Sequence, residues 1–184
     1  MSTPPIEFHR LPIPLDRDRF VRDLLRDVAH SLVKTLGEEK AAEFVSAIGG
    51  RVGEQINLYY TAALRKVHLT RAEVAQVMVD LKRRIEGDFF IIEENDEKIV
   101  LGNRACPFGA KVKDRPTLCM MTSNVFGGIA SRNVGYAKVE LQQTIANSAK
   151  ECRVVVYLRP TAEAEKAPGR EYTRSIADPV RQRS

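Results

Sequence analysis

The chain has 184 residues, 43% of them hydrophobic and 29% charged, with a net charge of +5. That length suits one well-packed domain and is short for two. Its apolar runs all fall short of the roughly 20 residues a membrane span needs, so no span is expected.

The opening stretch, MSTPPIEFHRLPIPL, has no basic segment followed by an unbroken apolar core. No secretory signal is read there, and the cytoplasm is the expected compartment. In that reducing setting cysteines are expected to bind metal or sense redox state rather than form disulfides. The basic balance is thin. Six basic and four acidic side chains lie beyond Leu158, so +2 of the +5 belongs to that segment and the rest is spread widely. Specific nucleic-acid binding by this chain alone is not expected.

Residues 1–15 hold four of the nine prolines and read as an extended arm. From Asp16, the positions Phe20, Val21, Leu24, Leu25, Val28, Leu32 and Val33 recur at helical spacing up to Gly37. A second helix starts near Glu38, with Ala41, Phe44, Val45, Ile48, Val52, Ile56 and Tyr59 on one face. Its AIGGRVG run either breaks the helix or marks very close packing. Thr70 and Glu73 form a capping-box pair ahead of a third helix, with Val74, Val77, Met78, Leu81 and Ile85 on its buried face. DFFIIEENDEKIVLGN reads as a hairpin turning at Asn95 and Asp96. A cysteine-bearing loop follows, then a helix from Leu118 to about Ser131, then two β-rich segments joined by NSAK. Residues 159–184 carry no stripe and read as a disordered tail.

The expected fold is α+β: N-terminal helices, then antiparallel hairpins with a cysteine-bearing loop and helix between them. One domain is expected over 16–158, helical over 16–87 and built of hairpins and cysteines over 88–158.

Cys106, Cys119 and Cys152 are separated by twelve and thirty-two residues, and no pair has the C-x-x-C spacing. Cys106 lies in a Pro/Gly turn and Cys119 at a helix start, where the helix dipole is expected to lower a thiol pKa. Cys152 opens the last strand. Three thiolates can hold a metal with one open position, or three corners of a [4Fe–4S] cluster. The plainer alternative is three buried thiols, because free cysteine is commonly buried.

The stretch IVLGNRACPFG…RPTLCMM…GYAKVELQQTIANSAKECRVVVYL resembles the methanogen output domain, a sensory module of archaeal and bacterial signalling proteins. It is also similar to the C-terminal half of SufR-type iron–sulfur repressors and, more distantly, to 4-vinyl reductase domains of aromatic-sensing regulators. The resemblance implies an iron–sulfur cluster, [4Fe–4S], held by Cys106, Cys119 and Cys152, with Pro107, Phe108 and Gly109 forming the turn beside it. The thirty-two-residue gap before Cys152 departs from the repressor pattern. The Cys-Pro step and the lack of a nearby histidine favour iron–sulfur over zinc, which is the alternative cofactor.

His9, His30 and His68 are scattered and form no metal dyad or catalytic arrangement. Glu140 and Glu151 flank the final hairpin and could each give zinc an oxygen ligand. Arg71, Lys82, Arg83 and Arg84 would face phosphates if the third helix and hairpin formed a winged helix, although the tip EENDE is acidic. Gly127 and Gly128 are expected to permit close helix packing.

The expected function is a non-enzymatic regulatory domain whose cluster responds to redox state, oxygen or iron. It would dimerise through its N-terminal helices and act through a partner regulator or kinase. A zinc-containing module for aromatic or hydrophobic ligands is the competing class, and a winged-helix DNA-binding regulator the third.

Overall fold

Asp16 caps α1 (Arg17–Leu36), its carboxylate accepting from the Arg19 amide at 2.8 Å. The chain turns at Gly37 and continues into α2 (Glu38–Leu64). The capping box read at Thr70 and Glu73 is present with both reciprocal bonds at the start of α3 (Arg71–Arg83). The hairpin follows as β1 (Phe89–Glu94) and β2 (Lys98–Asn103), with Asn95 Oδ1 accepting from the Glu97 and Lys98 amides at the turn. After the cysteine loop come α4 (Cys119–Val134), β3 (Tyr136–Gln143) and β4 (Cys152–Tyr157). This computed structural model describes residue 14 and residues 16–113 and 116–174, so the arm expected over 1–15 lies almost wholly outside the described residues.

Residues 159–174 differ from the disordered tail read in the sequence. They form α5 (Ala162–Lys166) and β5 (Arg170–Thr173). Thr161 caps α5, Ala164 is buried against Val100, Val155 and Tyr157, and β5 pairs with β3. A segment too polar to order itself is ordered by docking onto a surface already built. Residues 175–184 lie outside the described part.

The five strands run antiparallel in the order β1-β2-β4-β3-β5. One face carries Ile99, Leu101, Val139, Val154 and Val156 into a core shared with Phe126 and Ile129 of α4 and with Val74, Met78 and Leu81 of α3. The other face carries Val100, Val155 and Tyr157 under α5. Coverage on both faces explains why β2 and β4 are continuous apolar runs rather than alternating ones. The α+β arrangement is the one expected.

Close packing, not a break, explains AIGGRVG: α2 is unbroken. A Cβ on Gly53 would stand 3.0 Å from Val125 Cα, and one on Gly49 would stand 2.8 Å from Asn124 Cβ. Gly127 makes room for the Tyr172 ring of β5, so its close contact is with a strand rather than with a helix, whereas Gly128 faces open space.

The rotation of α1 leaves most of its apolar stripe exposed. Of its residues only Ala29 is buried, while Phe20, Val21, Leu24, Leu25 and Val28 are exposed. Arg22, Asp23 and Arg26 are turned partly inward instead. The stripe from Phe20 to Val28 therefore faces away from the body of the molecule, whereas Leu32 and Val33 are half-buried.

Candidate metal centre

The three cysteines arrive at one cavity from three elements. Its wall includes Cys106, Cys119 and Cys152 together with Pro107, Phe108, Asn103, Thr122 and Thr144. Cys152 is the first residue of β4 and pairs in register with Asn103, the last of β2. Cys106 follows β2 in a turn closed by the Gly109 amide donating to its carbonyl at 2.8 Å. Residues 104–105 are pinned by backbone bonds to Asp88, and Pro107 packs on Gly87 just beyond α3. Cys119 opens α4 directly after the short 3-10 turn Pro116–Leu118.

Polar contacts converge on the sulfurs. The Ile145 amide donates to Cys152 Sγ at 3.4 Å, and Asn103 Nδ2 donates to the same sulfur at 3.7 Å. Asn103 Oδ1 accepts from the Ala105 amide at 3.3 Å, so this buried side-chain amide ties the Cys106 loop to Cys152. The remaining wall is apolar, with Phe89, Val112, Leu118, Leu141 and Val154.

Burial overrides the helix dipole at Cys119. Desolvation, reinforced by the neighbouring Cys152 and Cys106, pushes its thiol up to about 12, although the Thr144 hydroxyl partly offsets this. The sequence expectation of a lowered pKa is corrected accordingly. Burial also raises the Cys106 thiol, opposed by the Phe108 amide.

Cys106, Cys119, Cys152, Pro107 and Phe108 thus line one cavity, whereas Gly109 lines a separate groove beside Arg22 of α1. Among the described residues, no three His, Cys, Asp or Glu side chains stand close enough to hold one ion. The sulfurs would have to draw together around a single ion or remain spread around a larger group. The cavity is about 30 Å³, room for a solvent molecule or two. Its ionisable donors are the three thiols, beside the neutral Asn103, Thr122 and Thr144 and with no histidine or carboxylate in the wall, and so fit thiophilic metals.

Other candidates fall elsewhere. Glu140 accepts from Tyr157 Oη at 3.0 Å and Glu151 pairs with Arg104 at 3.6 Å, and neither lines the cavity. Arg71 is engaged by Glu94 at 3.2 Å and by Asp96, which ties the hairpin tip to α3 instead of leaving a cation for phosphate. Lys82 is buried in the core. Thr122, Thr144 and Asn103 escaped the sequence reading because isolated polar residues carry no spacing signal. Lys82 did carry one, since it falls four residues after Met78 on the apolar stripe.

Among the described residues no helix is long and apolar enough to cross a membrane. Comparison with curated proteins returns no match. Among solved structures, the chain is similar to the phenol-responsive sensory domain of the transcription activator PoxR with phenol, at 15% identity and a TM-score of 0.63 over 78% of each chain. That likeness establishes shared fold. The family model for methanogen output domain 1 matches residues 24–157, which takes in α2, α3, the cysteine loop and the four strands β1 to β4. The chain belongs to the methanogen output domain 1 family.

Proposed function

We propose that this chain is a cytoplasmic, non-enzymatic sensory domain in which Cys106, Cys119 and Cys152 hold a [4Fe–4S] cluster that reports redox state, oxygen or iron supply. The observation that carries the reading is the convergence of all three cysteines of the chain on one cavity with no histidine or carboxylate in its wall. Amide donors at Phe108 and Ile145 support it, because N–H groups directed at sulfur stabilise thiolates and tune a bound cluster. The PoxR sensory domain supports a sensory role for the fold.

The site is mechanically joined to α1. Ala29 packs with Val112 and Leu118 of the cysteine loop, and Arg22 lies beside Gly109 while pairing with Glu86 at 3.2 Å. What the thiolates hold sets the position of Val112 and Leu118, and α1 rests on them through Ala29. The outward stripe of α1 then serves a second copy of the chain or a partner regulator. Its flanking charges, Arg17, Asp18, Arg19 and Asp27, have mixed sign and suit a protein partner better than a polyanion.

A second reading is a zinc-containing module for hydrophobic ligands, and the small cavity volume favours its single zinc ion over a larger group. Elemental analysis of anaerobically prepared protein separates the two. Iron with acid-labile sulfide and absorption at about 400 nm is expected from thiolate-to-iron charge transfer. Colourless protein with stoichiometric zinc would replace the cluster reading with the second one.

A further inference from the structure

Lys82 is only 5% exposed and shares the inner stripe of α3 with Val74, Met78 and Leu81. Its ammonium donates to Thr122 Oγ1 at 2.7 Å. It lies 5.2 Å from the centroid of the Phe89 ring and 5.3 Å from that of Phe126, with the two rings edge to face. Two ring faces and a hydroxyl are weak compensation for a buried ammonium, which is ordinarily paired with an anion. Among the described residues, the groups able to become anionic that act on it are Cys106, Cys119 and Cys152. Thr122 and Phe89 both line the cysteine cavity, so the ammonium stands directly behind the cavity wall.

Building on the thiolate-held reading above, we propose that Lys82 is the countercation of the cavity, which makes the site selective for an occupant whose bound form is anionic. A divalent ion on three thiolates carries a net negative charge, as does a cubane on three thiolates, and each supplies the charge that Lys82 lacks. A neutral aromatic molecule would leave the ammonium unpaired. The lowered Lys82 pKa, brought to about 8 chiefly by burial, agrees with a cation only partly compensated by the groups around it. On a redox-active occupant the same charge favours the reduced, more negative form and raises the reduction potential.

The test compares the full-length chain with K82M, which keeps the side-chain volume and removes the charge. Anaerobic cobalt(II) is the probe, read through its thiolate charge-transfer absorption. K82M is expected to bind cobalt more weakly by on the order of tenfold, the scale of one nearby buried charge. That loss should persist at high salt, because a buried charge is poorly screened. Metal-free K82M should resist urea at least as well as the wild type, which separates a charge role from a packing role. Equal cobalt affinity in the two proteins overturns this inference and leaves the cysteine site standing. Absence of cobalt binding by the wild type overturns the thiolate-metal reading itself, and this inference with it.

Discussion

At Cys119 and Lys82 burial moves two groups in ways that oppose each other with pH. Lys82 falls from 10.5 to about 8 on folding, so below pH 8 both states are protonated and the full desolvation penalty is present. Between those values the unfolded chain keeps a proton that the folded chain has released, and stability rises with pH. Cys119 is raised from 9.0 to about 12, so its stabilising contribution is complete below pH 9 and is lost as pH climbs toward 12. Metal-free protein is therefore expected to gain stability between pH 8 and 9 and then level off. K82M should lack the rise. Urea unfolding at these pH values checks this, and identical profiles for the two proteins would contradict the assignment of the rise to Lys82. The residue scale was also the hardest to read from sequence. Cys106, Cys119 and Cys152 stand out by rarity and by resemblance, whereas their local electrostatics depend on burial, which strand pairing and loop docking decide.

The helices and strands follow the sequence closely because each has a local signal: the Thr70–Glu73 cap, the Asn95 turn, and the apolar period of α2 and α3. What local signals cannot supply is which neighbour an element meets. AIGGRVG left break and close approach as equal outcomes, and the backbone of α4 decides between them. The same contact gives the glycines opposite expectations. Gly53→Ala places a methyl 3.0 Å from Val125 Cα and should destabilise by about 1–3 kcal/mol despite better helix propensity. Gly50→Ala meets open space and should stabilise by about 0.5–1 kcal/mol. Chemical denaturation of both variants tests the pair, and a shared sign would refute the described helix contact. Residues 159–174 are ordered against their composition for a related reason. Their order comes from a sheet face and an edge strand made elsewhere in the chain, so composition alone reads them as a tail. The apolar runs of β2 and β4 did hold the clue, since continuous burial calls for cover on the second face.

For the molecule as a whole, the decisive arrangement is a cysteine cavity at one end of the sheet, a loop over it, and α1 resting on that loop. The periodicity of α1 gives an apolar stripe, and the folded chain turns it outward from Phe20 to Val28. Periodicity reports that a face is apolar without saying what covers it. Pairing of two copies through this stripe predicts a dimer that L24E with V28E converts to monomer without loss of fold, as judged by sedimentation and circular dichroism. A wild type that is monomeric at high concentration would contradict that partner.

The central claim is that the three cysteines act as one site. The most direct test is the metal content of the wild type beside Cys106→Ser, Cys119→Ser and Cys152→Ser, all prepared anaerobically. Bound metal is expected in the wild type and is expected to be lost or strongly depleted in each variant. Full metal content in all three variants would contradict the claim.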